Sequence, residues 1–260
     1  MPSLFRLSPP ADPTTSRLQR DSIAFVLSDG RRIDVLRVRD PRARRLRLSV
    51  GERGPRLTLP PRVSLAAGER FLLEHRDWLT HQLAPREDDV QPLVPGEPGA
   101  VPLRGDRLAL RWEGGRAARA LLEDDAVVLQ LPPRAGAAAA ARALRDFYEA
   151  QARADIGRWL PAYLPGLPRP PRRIRLRVLS SQWGSLAPDG TLTLDLALVL
   201  GRPSAFHYVL VHELCHLVHA DHSRAFWREV ERRCPDWRDE RDYFREEGRR
   251  LKAALHVLVG

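Results

Sequence analysis

The chain has 260 residues, of which 43% are hydrophobic and 29% charged, and its formal net charge is +10. This composition is typical of a folded globular protein of one or two domains and excludes a wholly disordered chain. No stretch approaches the roughly 18 uninterrupted apolar residues of a membrane span. Residues 1–22 hold no apolar block that could act as a secretion signal. The two cysteines form no CxxC pair, so the cytoplasm is the expected compartment.

The positive charge is concentrated in two blocks of the chain. Residues 1–60 carry 13 arginines against 6 acids, and residues 141–180 carry 9 arginines against 3 acids, whereas residues 181–220 are slightly acidic. Of the 43 lysines and arginines, only Lys252 is a lysine. So complete a use of arginine in place of lysine is expected of a GC-rich coding sequence. The excess is therefore either a compositional background or a surface for a polyanion such as nucleic acid.

The first half of the chain is predicted to be rich in β-structure. After a flexible N-terminus over residues 1–22, a β-rich region covers residues 23–135. Its first strands are expected at residues 23–27, 32–38, 45–50 and 56–59. In residues 45–50 apolar side chains alternate with arginine or serine, which predicts one apolar and one cationic face.

A helix is predicted from Ser64, its N-cap, to about Leu83. Phe71, Leu72 and Trp78 are expected on its apolar side. Residues 85–102 are rich in proline, glycine and acids and predict a linker or a long loop.

A second β segment, over residues 103–131, resembles the end of the first. It ends in LQLPPR at residues 129–134, as the first ends in LTLPPR at residues 57–62, and a helix is expected after each. The pattern indicates either an internal repeat of a β-meander plus helix or a chance resemblance.

The second half of the chain mixes helices and strands. A long helix is predicted from residue 136 to about 160, followed by strands at residues 173–179 and 191–200. The helix containing His212 comes next, and a final helix is expected near residues 239–255. Helices and strands are segregated rather than strictly alternating, which indicates an α+β fold.

One helical segment carries the residues of a metal site. Residues 209–216 read VLVHELCH and contain the pattern HExxH. On a helix, positions i and i+4 differ by about 40° in azimuth and one turn in rise, so His212 and His216 can share one metal ion. Glu213 follows on the same side of the helix and can reach a metal-bound water as general base.

A third ligand is expected, because a catalytic zinc ion usually takes three protein ligands. In a continuing helix His219 lies one turn beyond His216, too far along the axis to close on the metal. His222 can return to the metal if the helix ends near Ala220, where Asp221 can terminate it. We therefore expect His222 as the third ligand and His219 beside the site or at the surface. A later Glu or Asp is the remaining alternative.

The spacing of HExxH and a later histidine also occurs in metzincins, but two features exclude that class. The metzincin motif has glycine at the position of His219, and it requires a methionine turn beneath the metal. The sole methionine of this chain is Met1.

Over about residues 30–250 the chain resembles the YgjP-like and SprT-like group of small zinc metallopeptidases. The motifs that carry the resemblance are HELCH at 212–216, His222-Ser223 with Phe226-Trp227, SQWGSL at 181–186, the arginine-rich strands and Pro60-Pro61 within 39–79, HRDWL at 75–79, and Pro235-Asp236-Trp237. The resemblance implies an α+β fold, with a β-meander/helix region followed by a small zincin-like metallopeptidase domain over residues 136–260. That domain contains the HExxH active-site helix.

The same resemblance implies the composition of the site. Zn²⁺ is the implied cofactor, with His212, His216 and His222 as metal ligands and Glu213 as catalytic base.

The upstream segment departs from the family pattern at two positions. The family's arginine is Gln182 here, and its cysteine is Leu186. If that arginine binds substrate or transition-state charge, the departures affect activity or specificity but not metal ligation. Trp183, Gly184 and Ser185 are candidate substrate-binding residues of a cleft wall; the alternative is a packed tryptophan with a turn glycine.

The main functional hypothesis is a zinc-dependent hydrolase, a metallopeptidase acting on peptide or protein. One alternative is a metal-dependent nucleotide pyrophosphatase whose arginine-rich strands contact the triphosphate. Another is a DNA-associated SprT-like protease, which predicts salt-sensitive DNA binding by residues 1–60 and 141–180. A non-enzymatic, metal-stabilised scaffold is the last alternative. None of these hypotheses involves a membrane.

Overall fold

The computed structural model describes residues 19–51, 54–84, 90–180 and 182–260. The chain divides into two compact units, Met1–Pro85 and Arg86–Gly260, and each unit has its own hydrophobic core. Most of the predicted flexible N-terminus, residues 1–18, lies outside the described residues. Within the described ranges, no helix is both long enough and apolar enough to cross a bilayer.

The first unit consists of a four-stranded sheet and two helices. Its elements are β1 (Gln19–Val26), β2 (Arg32–Arg39), β3 (Arg47–Gly51), β4 (Gly54–Leu59), α1 (Leu65–Glu74) and α2 (Arg76–Gln82). The strand order is β1-β2-β4-β3. The inner pair β2–β4 is parallel and both outer pairs are antiparallel. The order differs from a simple meander because β4 inserts between β2 and β3.

Alternation along β3 and β4 separates a core face from a solvent face. Leu57 and Leu59 are fully buried in the core of the unit, and Leu48 and Val50 pack against it. Arg47 lies on the opposite, exposed face. The two faces predicted for residues 45–50 are therefore confirmed.

The helix predicted after the first sheet is interrupted at His75. Ser64 is the N-cap as predicted, and its Oγ accepts the Ala67 N–H at 3.2 Å. The backbone at His75 has φ −106° and ψ 17°, which ends α1 and starts α2. The break changes the phase of the second helix, so Leu79 is fully buried while Trp78 is 42% exposed. The prediction of Trp78 on the apolar side was wrong for this reason.

The second unit contains two sheets and five helices within its described residues. Its first elements are β5 (Gly99–Leu103), β6 (Asp106–Gly114), β7 (Arg119–Glu123), β8 (Ala126–Leu131) and α3 (Ala137–Trp159). They are followed by β9 (Arg173–Arg177), β10 (Gly184–Leu186), β11 (Thr191–Asp195), α4 (Pro203–Cys215), α5 (Arg224–Arg233), α6 (Trp237–Glu246) and α7 (Gly248–Val259). The first sheet has the order β5-β6-β8-β7 and the second β10-β11-β9.

The first sheets of the two units share one topology. In each, the inner pair is parallel and the outer pairs are antiparallel. The Pro-Pro-Arg segments occupy equivalent turns, where Val63 N–H donates to Pro60 C=O at 3.2 Å and Ala135 N–H donates to Pro132 C=O at 2.9 Å. A helix starts six residues after each strand end, at Leu65 and Ala137. The similar strand ends therefore belong to a structural repeat.

The predicted boundary at residues 135/136 falls inside the second unit. Helix α3 begins there and packs against β7 and β8, so the preceding sheet and this helix share one core. The predicted final helix is two helices, α6 and α7, separated at Glu247. The strand predicted for 191–200 ends at Asp195, whose Oδ1 accepts the Ala197 N–H at 3.0 Å and starts a 3-10 turn.

Candidate metal centre

Helix α4 presents the HExxH residues from the interior of the second unit. Most of its residues are buried, Phe206 and Leu210 among them, because the helix lies within the core. Its C-terminal turn contains His212 and Glu213, and His216 is the C-cap residue. The buried apolar residues therefore hold the helix in the core, and its last turn carries His212 and Glu213.

The chain returns to the end of α4 through a short turn. The helix ends at Cys215, and the His219 N–H donates to the Cys215 C=O at 2.9 Å. Asp221 Oδ1 accepts the Ser223 N–H at 3.2 Å, and Ser223 is the N-cap of α5. His222 lies between these two residues, so the cap of α5 fixes the return. The helix ends at Cys215, five residues before Ala220, so the condition for the return of His222 is met.

Three imidazoles converge at this point. One ring nitrogen from each of His212, His216 and His222 lies within 4.8 Å of the other two. The Nε2 atoms of His212 and His222 are 3.1 Å apart. Among the described residues these three form a His/Cys/Asp/Glu group that could hold a metal ion.

The protonation of the imidazoles suits a metal ligand set. His216 Nδ1 is 3.1 Å from the backbone carbonyl of His219. A carbonyl only accepts, so Nδ1 carries the proton and the Nε2 lone pair is available. Burial lowers the pKa of His212 to about 3 and also lowers the pKa of His216, which keeps these rings neutral as metal ligation requires.

An aromatic side chain packs against all three imidazoles. Phe226 is fully buried, and its ring centroid lies 4.9 Å from His212, 4.5 Å from His216 and 4.8 Å from His222. Trp227 lies 5.7 Å from His212 and stacks on Trp237 at 4.5 Å. These rings limit the rotamers open to the histidines.

Glu213 is buried beside the histidines with a backbone donor. Its exposed fraction is 6%, and burial raises its pKa to about 7, while a hydrogen bond from the Leu186 backbone acts in the opposite direction. Gly184 lies directly against it. A Cβ built on Gly184 falls 2.7 Å from Glu213 Cγ and 2.8 Å from Oε1. Strand β10 therefore passes over the carboxylate at a distance that only glycine permits.

The chain before β10 is anchored by a buried ion pair. Lys252 Nζ donates to the carbonyls of Leu179 at 2.6 Å and Gln182 at 3.1 Å, and to Asp195 Oδ2. The ammonium also lies 4.7 Å from the centroid of the Trp183 ring. Asp195 is 1% exposed. Sequence reasoning missed this anchor, although a single lysine in an arginine-rich chain was an available signal.

The remaining predicted residues occupy distinct positions around the site. Trp183 packs against Phe244 with ring centroids 4.5 Å apart and planes tilted by 36°, and Ser185 lies in β10. His219 contributes its backbone carbonyl rather than its imidazole. Cys215 is fully buried, and burial raises its pKa to about 12, so its thiol stays protonated.

An HExxH helix with a third converging histidine is typical of metal-dependent hydrolases. Residues 44–247 match the family described as the YgjP-like metallopeptidase domain. The match spans well over half of the chain, and the chain belongs to the YgjP-like metallopeptidase family.

One solved structure is similar to part of the chain. The crystal structure of the metallopeptidase zymogen of Pyrococcus abyssi abylysin is similar at 28% identity, covering 39% of this chain and 96% of that chain with a TM-score of 0.30. No curated protein matches the chain.

Proposed function

We propose that the chain is a zinc-dependent peptidase in which His212, His216 and His222 hold the metal and Glu213 is the general base. The observation that carries the proposal is the convergence of three imidazole nitrogens within 4.8 Å next to a buried carboxylate. Three nitrogen donors are the set that a catalytic zinc ion uses when it keeps one position for substrate or water. Zinc, when bound, supplies a Lewis acid that activates water and polarises the scissile carbonyl.

Glu213 performs the proton transfers in this proposal. Its carboxylate accepts a proton from the attacking water and returns it to the leaving amine. The Leu186 N–H holds the carboxylate in place. That donor belongs to the backbone, so the replacement of the family's cysteine by Leu186 leaves it intact.

Strand β10 supplies the surface for an extended peptide. It lies at one end of its sheet, and in the described part of the chain no strand pairs with its outer edge. An extended substrate can add to such an edge through main-chain hydrogen bonds. Trp183, Gly184 and Ser185 then contact the substrate beside Glu213.

The substitution Glu213→Gln tests the proposal. It removes the base and keeps the size of the side chain, so zinc content should stay at one ion per chain. Hydrolysis of casein or peptides should fall by about 10²–10⁴-fold. Zinc content is measured by atomic absorption and hydrolysis by the release of amines.

Glu246→Gln is the matched control, because Glu246 is an exposed residue of α6 and the change in charge is the same. Unaltered hydrolysis by the Glu213→Gln variant would contradict the assignment of Glu213 as general base. Nucleoside triphosphates are tested as substrates in the same assay. If they are hydrolysed and peptides are not, the chain is a nucleotide pyrophosphatase rather than a peptidase.

A further inference from the structure

The first unit contains a concavity lined by arginines. Its volume is about 480 Å³. The described arginines that line it are Arg42, Arg44, Arg45, Arg47 and Arg56, and Asp40 is the one acid among the described lining residues. The described lining of this surface, the arginine concavity, comes from the first unit and shares no residue with the three converging histidines.

Strand pairing and a loop build the arginine concavity. In the β3–β4 pair, Arg47 is opposite Thr58 and Ser49 is opposite Arg56. Cross-strand partners share one face of a sheet, so guanidinium and hydroxyl groups alternate on this face. The loop between β2 and β3 adds the other three arginines from one side.

Among the described residues, no carboxylate pairs with the guanidinium groups of the arginine concavity. None of the five lies within 4.0 Å of a carboxylate of a described residue, whereas Arg37 in the same unit pairs with Asp21 at 2.6 Å. Asp40 Oδ1 instead accepts the backbone N–H of Arg42 at 2.9 Å. The Nε of Arg56 is buried and, among described groups, has no hydrogen-bond partner. Within the described residues, the concavity is therefore a concentration of unpaired positive charge with at least one unsatisfied donor.

We propose that the arginine concavity binds the sugar-phosphate backbone of nucleic acid without sequence preference. Guanidinium forks match phosphate oxygens in bidentate geometry, and several together engage successive phosphates of one polymer. The described lining residues include no aromatic side chain on which a base could stack and no large apolar side chain that could insert into a lipid surface. The contacts fix position on the polymer and read no bases.

A second arginine surface in the other unit is the weaker candidate. It is lined by Arg145, Arg153, Arg173, Arg175 and Arg177. Glu149 belongs to the same lining and lies 3.6 Å from Arg145, so part of its charge is already compensated.

The test measures binding of fluorescein-labelled single-stranded 20-mers by the full chain, by anisotropy between 50 and 200 mM salt. The variant combines Arg44→Gln, Arg45→Gln and Arg47→Gln, three exposed positions. We expect affinity at 100 mM salt to fall at least about tenfold, and the slope of log Kobs against log salt to fall in magnitude by about 2, since each single-strand phosphate contact contributes roughly 0.7. Two oligonucleotides of unrelated sequence should lose affinity equally.

The control with the same loss of charge combines Arg116→Gln, Arg134→Gln and Arg142→Gln, which are exposed and lie on separate segments of the second unit. It should bind as the unaltered chain does. An equal loss in this control would show that net charge alone binds the oligonucleotide and would overturn the proposal.

Two further results would also overturn it. One is loss of binding only when Arg173, Arg175 and Arg177 are replaced by Gln. The other is binding to phosphatidylserine vesicles, abolished in the Arg44/Arg45/Arg47 variant, with no oligonucleotide binding at 50 mM salt.

Discussion

At the scale of single residues, the contact between Gly184 and Glu213 limits what the site tolerates. A Cβ at position 184 would lie 2.7–2.9 Å from three atoms of the Glu213 side chain. Real Cβ contacts are longer, so either β10 or the carboxylate has to move. The candidate ligand nitrogens belong to other residues, His212, His216 and His222, and none of them makes this contact.

The substitution Gly184→Ala should therefore separate metal binding from catalysis. We expect the zinc content to be unchanged and kcat to fall by about 10²-fold, because a displacement of about 1 Å at a reacting group has that cost. The rate of peptide hydrolysis by the zinc-loaded protein measures it. Gly157→Ala is the control, since a Cβ on this exposed residue of α3 meets nothing within 4 Å. It should keep full activity, and equal activity in both variants would contradict the role given to Gly184.

Glu229 gives the second unit a pH-dependent contribution to stability. Its carboxylate accepts hydrogen bonds from Arg232 at 2.8 Å and Arg233 at 2.8 Å, and the Arg233 guanidinium also donates to Gly166 C=O at 2.7 Å. The hydrogen bond from Arg232 is the largest cause that lowers the pKa of Glu229 below its ordinary value of 4.5. The folded protein therefore binds fewer protons at this site than the unfolded chain near that pH.

Because its pKa is lowered in the folded protein, ionised Glu229 stabilises the fold at neutral pH. The contribution of Glu229 is complete above pH 4.5 and is lost as the pH falls through its lowered folded-state pKa. Glu229→Gln should reduce the free energy of unfolding by about 1–3 kcal/mol at pH 7, and the difference from the unaltered protein should shrink at pH 3. Urea unfolding of the zinc-free protein at both pH values measures this. A difference that grows on acidification would contradict the assignment.

At the scale of elements, the position of β10 depends on Lys252. This residue of α7 donates to two carbonyls of the chain before β10 and to Asp195 at the end of β11. The ammonium therefore joins one helix to two strands of the sheet beside the metal centre.

The substitution Lys252→Met should affect both stability and catalysis. Removing one partner of a buried ion pair leaves the other charge buried, so the free energy of unfolding should fall by about 3–5 kcal/mol. Adding Asp195→Asn removes the buried carboxylate charge that Lys252 no longer neutralises, and this should restore part of the stability. Activity should stay low in the double variant, because the carbonyls before β10 still lack their donor. Urea unfolding and kcat of zinc-loaded protein measure the two effects; recovery of kcat in the double variant would refute the positioning role.

At the scale of the whole molecule, the two units have separate cores. The core cluster of the first unit includes Phe25, Leu57 and Leu72, and that of the second includes Tyr148 and Phe206. All three candidate metal ligands belong to the second unit. A ligand of the native state stabilises the cooperative unit that binds it, and separate cores predict that the two units unfold as separate cooperative units.

Calorimetry should therefore show that zinc shifts only one of two unfolding transitions. With free zinc at 100 times its Kd, the second unit should gain about 2.7 kcal/mol, which raises the Tm of a domain of this size by about 5–10 °C. The transition of the first unit should not move when zinc is removed with a chelator. The variant His216→Ala is the control and should show no shift with zinc. Equal shifts of both transitions in the unaltered protein would contradict this expectation.

Local patterns in the sequence predicted a large part of the fold. Ser64 was recognised as a cap because its side chain acts within its own turn, and the long helix α3 was predicted to within a residue at each end because its pattern and propensity are continuous. The break at His75 and the parallel pairing of β2 with β4 were not predicted. The parallel pairing joins strands that are distant in the sequence, and α2 is held by a distant residue, Leu27, whose C=O accepts a hydrogen bond from Arg76 at 3.0 Å.

The sequence by itself predicted the three histidines that converge and the acidic residue beside them. Helical spacing places His212 and His216 on one side of α4, and a local turn returns His222, so these relations follow from short-range geometry. Only the tertiary structure decided that Gly184 lies against Glu213 and that Lys252 anchors the preceding chain. It also gathered the arginines of the first unit into one concavity. Contacts between residues far apart in the chain depend on how sheets and helices pack, and no local spacing encodes that packing.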